Sequence, residues 1–573
     1  MKVIFNKIWK RKGWFVITIA ALVAINWLAS LYHTRIDFTN EKRFTLSAPT
    51  KKVLQKLDDV VRVDVFLKGS FPSGFKKLAN STTELLQEFK EVAGKKLQYR
   101  FISPDENMEG TNVLWADTLG ALGFYPINLT SQIKEGQQQQ NIYPVAFVHY
   151  KENILPVMIY QGKTKAITYP EINSAEAMME FNFISAIDKI TAKEKPILIY
   201  SAGNGEPMDA RTYDLSENLL QTDYRFKPEN LNSIPRIPDA VQVLMIVKPT
   251  VPFSDEEKFK IDQFVMRGGK LILFTDKLNA ELDSLQSKKG EVIAYDRGLE
   301  LNDMLFKYGV RINSDLVMDL QCDFLPFDVN GNGQFELLPW NYFPVFESKS
   351  NHVINKNLGF VSGRFVNSID TVGAEEIKKT ILLSSSSSPS SRTIATPALI
   401  SVLENVKAPE NEKFKKSNIP VAVLLEGKFQ SLFSNRLSQA MNDSLQKYGA
   451  TFLPQCIAEN KIIVVADGDI VLNSVVKGNQ PIPMGMNPYT YGSQQEFAFA
   501  NKDFLQNCLD YLINTSNLSE AKAKDYTLRL LDKKKVEAEK NFWKLINILV
   551  PVAVIILFAL LYQFIRRRKY TLT

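Results

Sequence analysis

Few side chains in this 573-residue sequence stand in arrangements that could do chemistry. Gly203-Asn204-Gly205-Glu206 follows the apolar run KPILIYSA. An apolar strand that runs into a glycine turn places that turn at its carboxyl end, where open α/β sheets bind ligands. Glycines there permit positive φ and close backbone approach. Gly203, Asn204, Gly205 and Glu206 are therefore candidate ligand contacts, against the plainer reading of a tight βα turn. Asp328, Asn330, Asn332 and Gln334 follow the spacing of half a calcium loop, but Pro339 stands at the twelfth position, where a bidentate glutamate is required. A turn that packs the following LLPWNYFPVF is the expectation, and Trp340, Tyr342 and Phe343 in that run read either as core or as a partner surface. His33, His149 and His352 lie far apart with no metal-ligand spacing. Cys322, Cys456 and Cys508 form no Cys-x-x-Cys pair and allow one disulfide or buried free thiols. With no Gly-x-Ser-x-Gly elbow and no Walker A loop, the sequence predicts no catalytic residue, no metal and no cofactor.

The elements that must position these residues fall into two groups. In the first, Ser47 can cap a helix that has Pro49 just inside its start. The run VVRVDVFL then alternates as a strand, residues 78–92 have helical spacing, and KLQYRFIS is a second strand. VAFVHY and ILPVMIYQG predict an antiparallel pair, with the glutamines 137–140 in the loop before it. This β-α-β then β-β skeleton is that of a thioredoxin-like fold without its redox cysteines. After a helix over 174–190, the runs KPILIYSAGNGEP and AVQVLMIVKPT flank a helical segment at 213–221, and SDEEKFKIDQFVMRGGKLILFTD then gives a capped helix, a Gly268-Gly269 stop and a third strand. Continuous apolar strands separated by helices predict a doubly wound parallel sheet, flavodoxin-like or class I glutamine amidotransferase-like. DLVMDL, PVAVLLEGKF and NKIIVVADGDIV read as further strands, LLSSSSSPSSR as an exposed loop, and 501–513 as a helix.

Both ends of the sequence carry membrane-spanning patterns. Residues 13–32 and 545–565 hold no charge over about the 20 residues that a crossing helix needs. Trp14, Trp27, Trp543 and Tyr562 flank them as interfacial anchors. The first run is longer than the apolar part of a signal peptide, so an uncleaved anchor is expected. Five basic residues precede it and Arg566, Arg567, Arg568 and Lys569 follow the second run, which predicts both tails in the cytoplasm and a large domain outside it. Without those tail cations, 60 Lys and Arg face 62 Asp and Glu. The net charge of +7 therefore reports membrane topology and gives no support to nucleic-acid binding.

Taken together, EKRFTLSAPTKKVL, YSAGNGEP, SDEEKFKIDQFVMRGGKLILFTD, NGQFELLPWNYFP, VAVLLEGKFQSLF, IIVVADGDIV and LRLLDKKKVEAEKNFWKLINILVP resemble the GldG family over nearly the whole chain. These are gliding-associated subunits of an ABC transporter system that contain the ABC-transporter auxiliary domain. The resemblance implies a non-enzymatic accessory subunit in the inner (cytoplasmic) membrane, acting with a GldF-like permease and, through it, a GldA-like ATPase. It implies contact with membrane lipid and none with nucleic acid, and it allows a homo-oligomer within the complex. The expected divisions are a basic tail (1–12), a first span (13–32), a thioredoxin-like periplasmic domain (33–170), a flavodoxin-like auxiliary domain (171–515), a charged stalk (516–541), a second span (542–565) and a basic tail (566–573). Pro551, costly in a soluble helix, is expected to pack against a permease helix. Related auxiliary domains carry Gly-His-Gly-Glu where this chain has Gly203 to Glu206, so the imidazole of a proton-transfer or metal role is missing here. A solute- or glycan-binding module is the alternative function, and an amidotransferase-like enzyme is a third, weakened by the lack of a cysteine at a strand-to-helix turn.

Overall fold

In the computed structural model the first helix after Thr18–Trp27 begins where Ser47 can cap it. The described residues are 18–27, 45–124, 126–133, 136–160, 167–220, 224–287, 291–328, 332–347, 350, 352–356, 358–374, 376–401, 410–439, 441–443, 451–476, 478–493, 495–513, 518, 521 and 533–570. They fall into two units, 1–524 and 525–573. Ser47 accepts the Thr50 amide at 3.4 Å and opens α1 (Ala48–Gln55), with Pro49 in its first turn.

A four-stranded sheet follows. Its elements are β1 (Val61–Val65), α2 (Ser73–Ala93), β2 (Leu97–Phe101), α3 (Trp115–Ala121), the ribbon β3 (Ile127–Ile133) with β4 (Gly136–Ile142), then β5 (Val145–Tyr150) and β6 (Asn153–Met158). The order is β2-β1-β5-β6, with β1 parallel to β2 and antiparallel to β5. Val61, Val63 and Val65 pack with Phe75, Leu78, Leu86 and Phe89 of α2. Phe183, Ile184 and Ile187 of α4 (Tyr169–Thr191) join the same core. The glutamine run is a correction to the sequence reading, because Gln137 to Gln140 lie in β4, paired across from β3, and not in a loop. Ladder hydrogen bonds come from the backbone, so a polar strand forms without the alternation that betrays one in sequence. Asp64, fully buried inside β1, lies 2.7 Å from Arg100 and 3.0 Å from His149. Burial pushes its carboxyl up, but His149 and Arg100 hold it below the usual carboxylate range.

The larger sheet has seven strands. Four of them are β7 (Ile197–Ala202), β8 (Arg225–Asn230), β9 (Val241–Val247) and β10 (Lys270–Phe274). Farther along come β11 (Asp315–Asp319), β12 (Cys322–Phe327), β13 (Glu336–Phe346), β14 (Lys378–Ser384), β15 (Ser391–Ala395), β16 (Pro420–Gly427) and β17 (Asn460–Val465). The order is β14-β16-β17-β10-β9-β7-β8. From β17 to β8 all neighbours are parallel, whereas β16 runs antiparallel to both β17 and β14, so the sheet is mixed. Its central strands are apolar on both faces because two cores clasp them. Val243, Met245, Ile272 and Ile463 face one, with Phe504, Leu505 and Leu509 of α6 (Asn501–Ile513). Leu244, Ile246, Leu271 and Val464 face the other, with Ile261, Phe264 and Val265 of α5 (Asp255–Met266). A capping box between Ser254 and Glu257 starts α5.

Two expectations about the later segments resolve into the core. Trp340, Tyr342 and Phe343 of β13 are at most 3% exposed and pack edge-to-face or tilted around Phe365, which leaves no surface for a partner. The serine tract is an exposed loop only in part: Ser387 to Pro389 are exposed in a loop, but the tract's first residues end β14, Ser391 opens β15, and Ser385, Ser386 and Ser391 are buried. Cys322, Cys456 and Cys508 are all free thiols.

The second unit contains α7 (Lys533–Tyr570), with Pro551 inside it. Its 30-residue segment Glu539–Arg568, whose most apolar 18 residues have mean hydropathy 2.8, is long and apolar enough to cross a membrane. Of the first predicted span only the apolar helix Thr18–Trp27 lies among the described residues, and residues 522–532 of the predicted stalk lie outside them.

Candidate functional site

Four parallel strands of the large sheet, β17, β10, β9 and β7, end side by side, and each is followed within two residues by a buried polar side chain. At the end of β7 the glycine turn is closely fitted. Gly203 has φ +130°, and a side chain on it would meet Asn230 at 2.7 Å; Gly205 has φ +78° and would meet the Thr250 hydroxyl at 2.0 Å. The Asn204 carbonyl accepts the amides of Thr250 and Val251, both at 2.8 Å, which ties the turn to the segment after β9. Glu206 turns back so that its Oε2 accepts the Asn204 amide at 2.7 Å. Its Oε1, the Asn204 Oδ1 and the Ser201 hydroxyl are buried without a hydrogen-bond partner. The four predicted residues are thus together, and the turn geometry accounts for the two glycines without a ligand.

Beside them lies a buried charge cluster that the sequence reading missed. Lys248 directly follows β9, Asp276 stands two residues after β10, and Asp467 and Asp469 follow β17. The Lys248 ammonium lies 2.6 Å from Asp469, 3.1 Å from Glu281 and 3.4 Å from Asp276. Arg297 reaches Glu281 at 2.5 Å and Asp276 at 3.8 Å. Three backbone amides orient the acids. Gly468 donates to Asp276 Oδ1 at 2.6 Å, Asp469 to Asp467 Oδ1 at 2.7 Å, and Arg364 to Asp467 Oδ2 at 2.8 Å. Lys248 itself has φ +47°, uncommon for a residue with a side chain.

The electrostatics divide the acids. Burial pushes Asp276 up, and burial together with the charges of Asp276 and Asp469 pushes Asp467 well up. Burial also works against a charged Asp469, but Lys248 and Arg364 outweigh it and hold that carboxyl below its ordinary range. For Lys248, burial favours the neutral amine, and Asp469, Asp276 and Glu281 reverse this and keep the ammonium charged. One oxygen from each of Asp276, Asp467 and Asp469 lies within 4.8 Å of the others, a donor set of the kind that hard cations take. With an ammonium among carboxylates, the arrangement can bind charge. Of the remaining sequence-predicted residues, Asp328 accepts the amides of Asn332 and Gly333 in a turn. Asn330 lies outside the described residues.

Comparison with known proteins bears mainly on the larger sheet. Residues 194–508 match the family described as an ABC-type uncharacterized transport system, and residues 40–149 match a domain of unknown function, DUF7088. An uncharacterized protein of Borreliella burgdorferi is 20% identical over 437 residues, covering 74% of this chain and 78% of that protein. Among solved structures, the mmIFT52 N-terminal domain aligns at 11% identity with a TM-score of 0.30, covering 55% of this chain and 97% of that one. The exo-beta-1,4-mannosidase Op5Man5 from Opitutaceae bacterium strain TAV5 aligns at 9% identity with a TM-score of 0.19, covering 85% and 56%. Both scores lie below the level of a shared fold.

Proposed function

The chain belongs to the ABC-type uncharacterized transport system family, and on that premise we propose that it is a non-enzymatic accessory subunit of a GldG-like transporter associated with gliding motility. The observation that carries this reading is the family match across 194–508 in a chain that also holds the apolar helix Glu539–Arg568. In this reading the folded body is periplasmic, both tails are cytoplasmic, and the membrane is the inner one. Its partners are a GldF-like permease, contacted by α7 near Pro551, and a GldA-like ATPase reached through that permease. The strand order β2-β1-β5-β6, with β5 antiparallel, supports assigning 33–170 as a thioredoxin-like domain. The parallel strands between α5 and α6 support a flavodoxin-like domain over 171–515. Gly203, Asn204, Gly205 and Glu206 are retained as a ligand contact because Asn204 and Glu206 each keep a buried oxygen without a hydrogen-bond partner.

Purification of the tagged full chain from native membranes in mild detergent tests the proposal. Recovery of a polytopic permease and an ATPase in fixed ratio is expected. Recovery of the chain alone, with a small molecule bound, would contradict the accessory role and favour a binding module.

A further inference from the structure

We propose that the turn Gly203 to Glu206 takes a primary ammonium group on an apolar stem, and not a phosphate. The proposal rests on the reading of this turn as a ligand contact and adds the class of ligand. Topology gives the position. The parallel strands stand in the order β8-β7-β9-β10-β17. The chain leaves β7 toward β8 on one side, whereas β9 lies on the other side and leads outward to β10, so the connections diverge between β7 and β9. Leu215, between β7 and β8, packs in one core, and α5, between β9 and β10, packs in the other, so the covering segments part to opposite faces. The crevice outside the carboxyl ends of two such strands is where open α/β sheets hold ligands. Its walls here are the glycine turn and the segment Lys248 to Pro252, tied by the amides of Thr250 and Val251 to the Asn204 carbonyl.

The side chains at that point select the charge. A glycine turn that binds phosphate offers free backbone amides. In this turn the Asn204 amide is already taken by Glu206 Oε2 at 2.7 Å, so the chain's own carboxylate stands where an anion would. What remains is acceptor capacity. Glu206 Oε1, Asn204 Oδ1 and the Ser201 hydroxyl are buried without a hydrogen-bond partner, and none of the three residues is more than 7% exposed. Among the described residues Glu206 forms no ion pair. Arg211, the nearest basic residue in sequence, is held by Asp209 at 2.8 Å. Asp262 of α5 shows what a buried carboxylate receives when it is purely structural: Tyr308 and Leu432 donate to one oxygen, Ser431 and Gln263 to the other, at 2.6–3.1 Å. A buried carboxylate with one donor and no cation is costly, and an ammonium supplies both the charge and the N–H donors that are lacking.

The surroundings allow entry and suggest the stem. Gly203 and Gly205 are exposed on either side of Asn204. The Asn204 side chain is held by one long hydrogen bond, 3.3 Å to the Pro252 carbonyl, so it can swing aside while its backbone stays tied. Met208, two residues after Glu206, and Val251, bonded to the Asn204 carbonyl, are exposed apolar side chains that an apolar stem can cover.

Calorimetric titration of the full chain in mild detergent with n-butylammonium chloride, at constant ionic strength, tests this. One molecule per chain should bind, with a dissociation constant of about 0.1–10 mM for so small a ligand. Glu206→Gln keeps an acceptor for the Asn204 amide but removes the charge, and should weaken binding at least about tenfold. Tetramethylammonium, which is charged but has no N–H, and inorganic phosphate should not compete. The proposal is overturned by no saturable binding up to about 50 mM, by equal affinity in Glu206→Gln, or by competition from either control. Saturable phosphate binding in place of n-butylammonium would overturn the ammonium class and leave the turn a ligand contact, whereas undiminished function in a folded Glu206→Gln chain would remove the contact itself. Should Glu206→Gln fail to fold, the choice among the three probes still decides.

Discussion

Asp319 and the Asp276–Asp467–Asp469 cluster are both buried carboxylate sites at strand ends, yet they are supplied in opposite ways. Asp319, at the end of β11, accepts the Ser386 amide and the hydroxyls of Ser386, Ser390 and Ser391 at 2.8–3.1 Å, with the Gln321 amide at 3.0 Å. Every donor comes from nearby backbone or from the serine tract, and both oxygens are satisfied. At the other site Asp276, Asp469 and Glu281 share the Lys248 ammonium, Arg297 also reaches Asp276 and Glu281, and Asp276 Oδ2 accepts no hydrogen bond. Burial is common to both, so burial does not mark function. Donor supply separates them: neutral hydrogen-bond donors fasten Asp319 between two strands, whereas buried cations hold the charge cluster together.

Substitutions can break or sharpen this contrast. Lys248→Met should have the largest effect, a loss of about 3–5 kcal/mol in unfolding, because it strips the cation from buried acids. A loss under about 1 kcal/mol would put the cluster's charges outside the stability of the fold. Asp319→Ala should cost about 2–4 kcal/mol, since it leaves several buried donors without an acceptor. Gly205→Ala should cost about 1–3 kcal/mol, from positive φ and the approach of Thr250. Glu206→Gln should change stability by no more than about 0.5 kcal/mol, because the amide oxygen can still accept from Asn204. Undiminished function in a folded Glu206→Gln chain would move the glycine turn from ligand contact to scaffold.

Much of the fold was legible because its signals are local. Ser47 caps the helix it precedes, helix 501–513 appears with the expected limits, and the apolar runs at β7, β9, β10 and β17 are strands buried on both faces. The glutamine strand β4 and the buried serines escaped because a polar composition reads as solvent exposure when the partner is unknown. For the serines that partner is Asp319, some 67 residues earlier than Ser386. The charge cluster escaped for the same reason at longer range. Gly468 and Asp276 are 192 residues apart, and only the insertion of β17 beside β10 brings them together. One signal was available: Lys248, Asp276, Asp467 and Asp469 each stand at or just beyond the end of an apolar run. Charge at the carboxyl ends of several parallel strands is a pattern that points to one edge of the sheet.

The accessory role is tested most directly through α7. Residues 545–565 can be replaced by a polyleucine span that keeps Trp543 and Arg566 to Lys569, so that length and anchors are unchanged and Pro551 is removed. The account predicts normal membrane insertion, with recovery of the permease and ATPase in mild detergent reduced several-fold and gliding impaired. Undiminished recovery of both partners and normal gliding would contradict it and leave the helix as a tether.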